Sequence, residues 1–127
     1  MIAVDTSALI AVLLGEAGAD ACAAALRAEP ALLISAATVA EALIVAERRG
    51  VGEEMRRLIG TLGFQIADVT AERARRVAQA YSRWGKGARS AGLNFGDCFA
   101  YALAKEKACP LLYIGRDFAK TDIAGAL

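Results

Sequence analysis

Apolar positions in this chain fall into short solid runs separated by longer stretches of helical period. Ile2–Val4 is wholly apolar, too brief for a helix and bounded by Asp5, which predicts a buried strand. Residues 6–14 read as a helix, 15–18 as a glycine-bounded break, and the alanine-rich segment ending near Pro30 as a second helix. A strand is predicted over 31–34, a helix over 35–49 closed by Gly50, another over 53–62 closed by Gly63, and a third strand over 64–69. Thr70 opens a strongly helical segment to Trp84, after which 85–92 has the glycine and charge content of a mobile surface loop. A fourth strand is predicted over 111–114, then a turn over 116–121 and an edge strand over 122–124.

The stretch 93–105, LNFGDCFAYALAK, organises the rest. As a helix it places Phe95, Cys98, Phe99, Ala102 and Leu103 on one face, the pattern of a helix packed on a core. Asp97 falls off that face, with Asn94 one turn behind and Tyr101 one turn ahead, so an amide, a carboxylate and a phenol are expected to share a polar edge. Strands alternating with helices imply a mostly parallel sheet covered on both faces, an α/β sandwich with right-handed crossovers. At 127 residues, with no repeat or linker, the chain is expected to form one domain over 1–127.

Composition narrows the chemistry. Hydrophobic residues make up 57% of the chain and aromatics only 6%, so the core must be built mainly from Ala, Leu, Val and Ile. A net charge of +1 gives no global attraction to nucleic acid, and any such contact has to come from local clustering. With no histidine and only Cys22, Cys98 and Cys109, none in a C-x-x-C pair, a zinc site is not expected. The lack of histidine also removes Ser-His-Asp and Cys-His catalysis. Free thiols on apolar faces suit a reducing compartment, and no apolar run approaches the ~20 residues of a membrane span, so a cytoplasmic protein without membrane contact is expected. Gly85 and Gly87 begin a G-x-G, but Ser90 stands where a dinucleotide fingerprint needs its third glycine, and a P-loop is equally incomplete.

Carboxylates remain. Asp5 ends the first strand and Asp117 follows the last clear one, both at the carboxyl edge where α/β proteins bind ligands; Glu41 and Asp97 lie in early helical turns that start at the same edge. Each has an ordinary explanation taken singly: Asp5, Asp97 and Asp117 as helix or turn caps, and Thr38-x-x-Glu41 as a capping box. Taken together they converge on one cleft, where four carboxylates would repel or take up protons unless a cation is present. Oxygen-only ligands select Mg²⁺ or Mn²⁺, and phosphodiester hydrolysis is the reaction that fits.

The blocks VDTSALIAVLL, SAATVAEAL, LNFGDCFAYALAK and YIGRDFAKTDI, in that order, resemble the PIN-domain family over essentially the whole chain, most closely the VapC-like toxin ribonucleases of bacterial toxin–antitoxin pairs. The resemblance implies a PIN-like α/β/α sandwich and a metal-dependent endoribonuclease using Mg²⁺ or Mn²⁺. It matches Asp5, Glu41, Asp97 and Asp117 to the family's acidic quartet, with Thr6, Ser7 and Asn94 as polar neighbours and Asp122 as a further acid. It also implies a homodimer and a VapB-like antitoxin partner.

The substrate side would be basic. Arg73, Arg75, Arg76, Arg83, Lys86 and Arg89 lie between Glu72 and Arg89, and Arg116 adjoins Asp117. Such a run is commonly just a solvated helix face, but beside an acidic cleft Arg73, Arg76, Arg83 and Arg116 become candidates for RNA phosphates. Tyr81, Trp84 and Tyr101 are better explained by packing than by base stacking. Two other classes stay open at this point. A phosphoacceptor signalling domain wants a second acid after the first strand and a Lys after the last, where this chain has Thr6 and Arg116, and a non-catalytic RNA- or protein-binding module would use the same surface.

Overall fold

The computed structural model describes residues 1–87 and 91–127, so Ala88, Arg89 and Ser90, part of the expected surface loop and of the basic run, lie outside the described residues. Four strands, β1 (Ile2–Val4), β2 (Leu32–Ser35), β3 (Gln65–Ala67) and β4 (Leu111–Leu112), form a parallel sheet in the order β3-β2-β1-β4. Between β1 and β2 lie α1 (Thr6–Leu14) and α2 (Ala19–Ala28), and between β2 and β3 lie α3 (Ala36–Arg48) and α4 (Gly52–Leu62). Between β3 and β4 come α5 (Ala71–Trp84) and α6 (Phe95–Glu106), and a short 3₁₀ turn, Phe118–Lys120, follows β4.

β1, β2 and β4 are buried on both faces, which is why they read as largely continuous apolar runs, whereas β3 at the sheet edge is mostly exposed. Alternate side chains serve two cores. Ile2, Val4, Leu32, Ile34 and Leu112 pack with the first four helices, while Ala3, Leu33 and Leu111 pack with α5, α6 and Phe118. Three layers result, the α/β/α sandwich expected.

Several boundaries moved: the strands expected over 64–69 and 111–114 shorten to Gln65–Ala67 and Leu111–Leu112. Ser35 is both the end of β2 and the N-cap of α3, its hydroxyl accepting from Ala37 N at 3.2 Å, so the strand slides one residue later than expected. Thr38 is thereby a residue of the helix rather than the start of a capping box; it is 1% exposed, and its hydroxyl has no partner among the described residues. The edge strand expected over 122–124 reduces to a single parallel bridge between Leu111 and Gly125. No single helix among the described residues is long and apolar enough to cross a membrane.

Helix α6 departs most from its sequence pattern. Phe95 is 71% exposed, whereas Tyr101 is only 6% exposed. Phe95 lies edge-on to Phe99, with ring centres 4.9 Å apart. Farther along, α6 packs on β1, β2, α3 and α5, so Ala100, Tyr101 and Ala104 are buried besides Cys98 and Leu103. A stripe-based reading assumes one covered face, and this helix is covered on more than one.

Candidate acidic site

All strands point the same way, so the ends of β1, β2 and β4 and the starts of α1, α3 and α6 meet at one edge. Asp5 leaves β1 there as the N-cap of α1. Its Oδ2 accepts from Ser7 N at 3.0 Å and from Ser7 Oγ at 2.6 Å. Ser7 Oγ in turn accepts from Ile114 N at 3.0 Å, tying the segment after β4 to the end of β1. The other oxygen, Asp5 Oδ1, is buried without a partner among the described residues. Burial pushes the Asp5 carboxyl up to about 7, against the lowering effect of Ser7, and the charges of Asp97 and Glu41 push the same way.

Asp97 and Asn94 form a reciprocal capping box at the start of α6: Asp97 N donates to Asn94 Oδ1 at 2.8 Å, and Asn94 N to Asp97 Oδ2 at 3.0 Å. The capping explanation therefore holds for Asp97, but it uses one carboxylate oxygen and leaves the charge facing the cleft. Burial raises its pKa, with Glu41 and Asp117 adding to the rise and Lys86 opposing it. Glu41, in the second turn of α3, accepts from Thr6 Oγ1 at 2.6 Å. Asp117 heads the 3₁₀ turn with no side-chain cap bond and is exposed, so capping does not explain it.

Asp5, Thr6, Ser7, Glu41 and Asp97 line one open cleft of about 310 Å³, with Ile10, Val45 and Ile114 as apolar wall and Glu16 and Arg49 at its side. Asp117 stands beyond this lining, close enough for its charge to act on Asp97. Arg49 has nothing in its local pattern to mark it, whereas Lys86 belongs to the basic run and its charge acts on Asp97. Arg49 reaches the cleft only through the packing of α3, and it stands 3.9 Å from Glu16.

Other expected site residues lie elsewhere. Asp122 is not in this cleft: its carboxylate accepts from Tyr101 Oη at 2.6 Å and Lys105 Nζ at 3.2 Å. Tyr101 also accepts from Trp84 Nε1 at 2.9 Å, so the trio pins the C-terminal segment to α5 and α6. Arg73 grips Glu106 through two bonds of 3.0 Å and donates to Asp68 O at 2.9 Å, while Arg76 pairs with Glu72 and Glu106. These ion pairs give both arginines a structural task, and neither lines the acidic cleft. Arg83 lies over the Trp84 ring at 4.8 Å, and Arg116 makes no ion pair among the described residues. Burial, with the Asp97 charge, pushes the Cys98 thiol up to about 11, so it stays protonated and inert.

The donor set can be tested against a cation. It is all oxygen, it includes a buried carboxylate oxygen with no protein partner, and burial and neighbouring charges raise the pKa values of Asp5 and Asp97; each feature is what a hard divalent ion relieves. Among the described residues no three acidic, Cys or His side chains stand in ready-made ligand geometry. The residues present fit Mg²⁺ or Mn²⁺.

A three-layer parallel sandwich with acids gathered at its carboxyl edge defines a class, and the comparisons identify it. A family model described as the PIN domain matches residues 2–124. The ribonuclease VapC of Mycolicibacterium smegmatis is 40% identical over 124 residues, 95% of this chain and 96% of that protein. The chain therefore belongs to the PIN-domain family, among its VapC-type members. In fold it matches the crystal structure of Mycobacterium tuberculosis VapC20, a sarcin-ricin loop cleaving toxin, with a TM-score of 0.80, 18% identity and coverage of 98% and 97% of the two chains. It also matches a toxin–antitoxin complex from Klebsiella pneumoniae with a TM-score of 0.72, 22% identity and coverage of 96% and 93%. The phosphoacceptor alternative gives way to this assignment.

Proposed function

We propose that this protein is a metal-dependent endoribonuclease, the toxin of a toxin–antitoxin pair. The observation that carries the reading is the buried Asp5 carboxylate with one oxygen unpartnered, facing the charges of Glu41 and Asp97. The names of its relatives support the same activity. Asp5, Glu41, Asp97 and Asp117 would hold Mg²⁺ or Mn²⁺. When bound, the ion supplies a water nucleophile at neutral pH and offsets charge on the phosphate.

The chain's own residues do the rest. Ser7 holds Asp5 by its Oδ2 so that Oδ1 points free; Thr6 aims Glu41; Asn94 fixes Asp97 through the capping box. Lys86, whose charge already reaches Asp97, together with Arg83 and Arg116, would position RNA phosphates. The working form is a cytoplasmic homodimer restrained by a VapB-like antitoxin, in line with the toxin–antitoxin complex among its structural neighbours.

Expression in bacteria tests the toxin reading. The wild-type chain alone should arrest growth, the neighbouring gene product should relieve the arrest, and Asp97→Asn should be harmless while still binding that partner. Normal growth with well-folded wild-type protein and no partner would contradict it.

A further inference from the structure

The helical glycines of this chain are not alike. A Cβ built on Gly60, in α4, meets nothing within 4 Å. At Gly96, in the first turn of α6, it would stand 2.7 Å from Glu41 Cδ and 3.0 Å from Oε1, and nearer still to Oε2. A helix disfavours glycine because the backbone freedom lost on folding is large, so a glycine there needs a reason. At position 96 the reason is occupancy: the Glu41 carboxylate fills the space a side chain would need. On its other side the same carboxylate accepts from Thr6 Oγ1 at 2.6 Å.

We infer that Gly96 is a positioning residue for the acidic site, its bare backbone forming the berth that lets Glu41 lie across the start of α6 beside Asp97 and Asp5. The inference rests on the reading of Glu41 as part of the cation-binding set. A methyl at 96 meets the far end of a flexible side chain, which swings away at little cost to the fold. Doing so, Glu41 leaves Thr6 and its place among the acids. The substitution therefore separates two effects that usually travel together, since alanine improves the helix while the site loses a carboxylate.

The test compares Gly96→Ala, Gly60→Ala, Glu41→Ala and the double variant Gly96→Ala/Glu41→Ala by thermal melting, Mn²⁺ affinity from calorimetry without RNA, and RNA cleavage. Both glycine variants should melt at or above the wild-type temperature, and Gly60→Ala should keep wild-type affinity and cleavage. Gly96→Ala should bind Mn²⁺ more weakly and cleave roughly ten- to a hundredfold more slowly. In the Glu41→Ala background it should cost nothing further, because the two changes act through one group. Wild-type Mn²⁺ affinity and cleavage in Gly96→Ala, with Glu41→Ala impaired, would overturn this inference alone, as would a loss that adds in full to that of Glu41→Ala. A fully active Glu41→Ala would instead overturn the reading of Glu41, and the inference with it. If Gly96→Ala fails to fold, recovery of the fold in the double variant upholds the clash with Glu41, and no recovery overturns it.

Discussion

Asp5 is held in a conflict that its surroundings only half resolve. One oxygen is satisfied by Ser7, the other is buried without a partner, and burial together with Asp97 and Glu41 disfavours its charge. An asparagine keeps the acceptor toward Ser7 and removes the charge. Asp5→Asn should thus stabilise the chelated protein near pH 8 by about 1–3 kcal/mol, several degrees in melting temperature, and abolish the rise that Mn²⁺ gives the wild type. Unchanged Mn²⁺ stabilisation in the variant would show that Asp5 is a cap and nothing more. The sequence already displayed Asp5 at the end of an apolar run. It could not display that Ser7 is shared with Ile114, 107 positions away, because that contact exists only once β1 and β4 pair.

At the scale of elements, the arginine run of α5 shows how a charge pattern changes meaning once a partner helix is placed beside it. Arg73 and Arg76 converge on Glu106 at the end of α6, joining the two helices that carry Asp97 and cover one face of the sheet. The Arg73 hydrogen bond, with the charges of both arginines and Lys107, holds the Glu106 carboxyl below its usual range. A depressed carboxyl contributes stability above its unfolded pKa, near 4.5, and loses it as the pH falls through the lower folded value. Glu106→Gln should therefore melt below the wild type at pH 7, by on the order of 1 kcal/mol, with the gap closing below about pH 4. A gap of constant size across that range would mean that packing, not charge, joins α5 to α6. Periodicity made every helix legible, and the caps Asp5, Thr70 and Asn94 stood where the sequence put them. It misplaced Phe95 and Tyr101, since a period reports which residues share a face but not how many faces are covered.

Across the whole molecule, the four acids are spread over 113 residues of chain and meet because parallel strands bring their ends and the starts of α1 and α3 to one edge, where α6, which runs back to the start of β4, also begins. That convergence was legible from topology; what surrounds it was not. Arg49 and Gly96 border the acids through the packing of α3 and α6, and no local motif announces them. Asp122, which sits in a block resembling the family's, was drawn away by Tyr101 and Lys105.

The central claim is that this acidic edge works by holding a divalent cation, and cleavage of a single-stranded RNA by purified protein tests it most directly. The wild type should cut with Mg²⁺ or Mn²⁺, stop on chelation and resume when the ion is restored. Asp97→Asn, which keeps the acceptor of the capping box, should fold normally and cut at least about a hundredfold more slowly. Cleavage that persists in chelator, or an Asp97→Asn variant that cuts at the wild-type rate, would contradict the account.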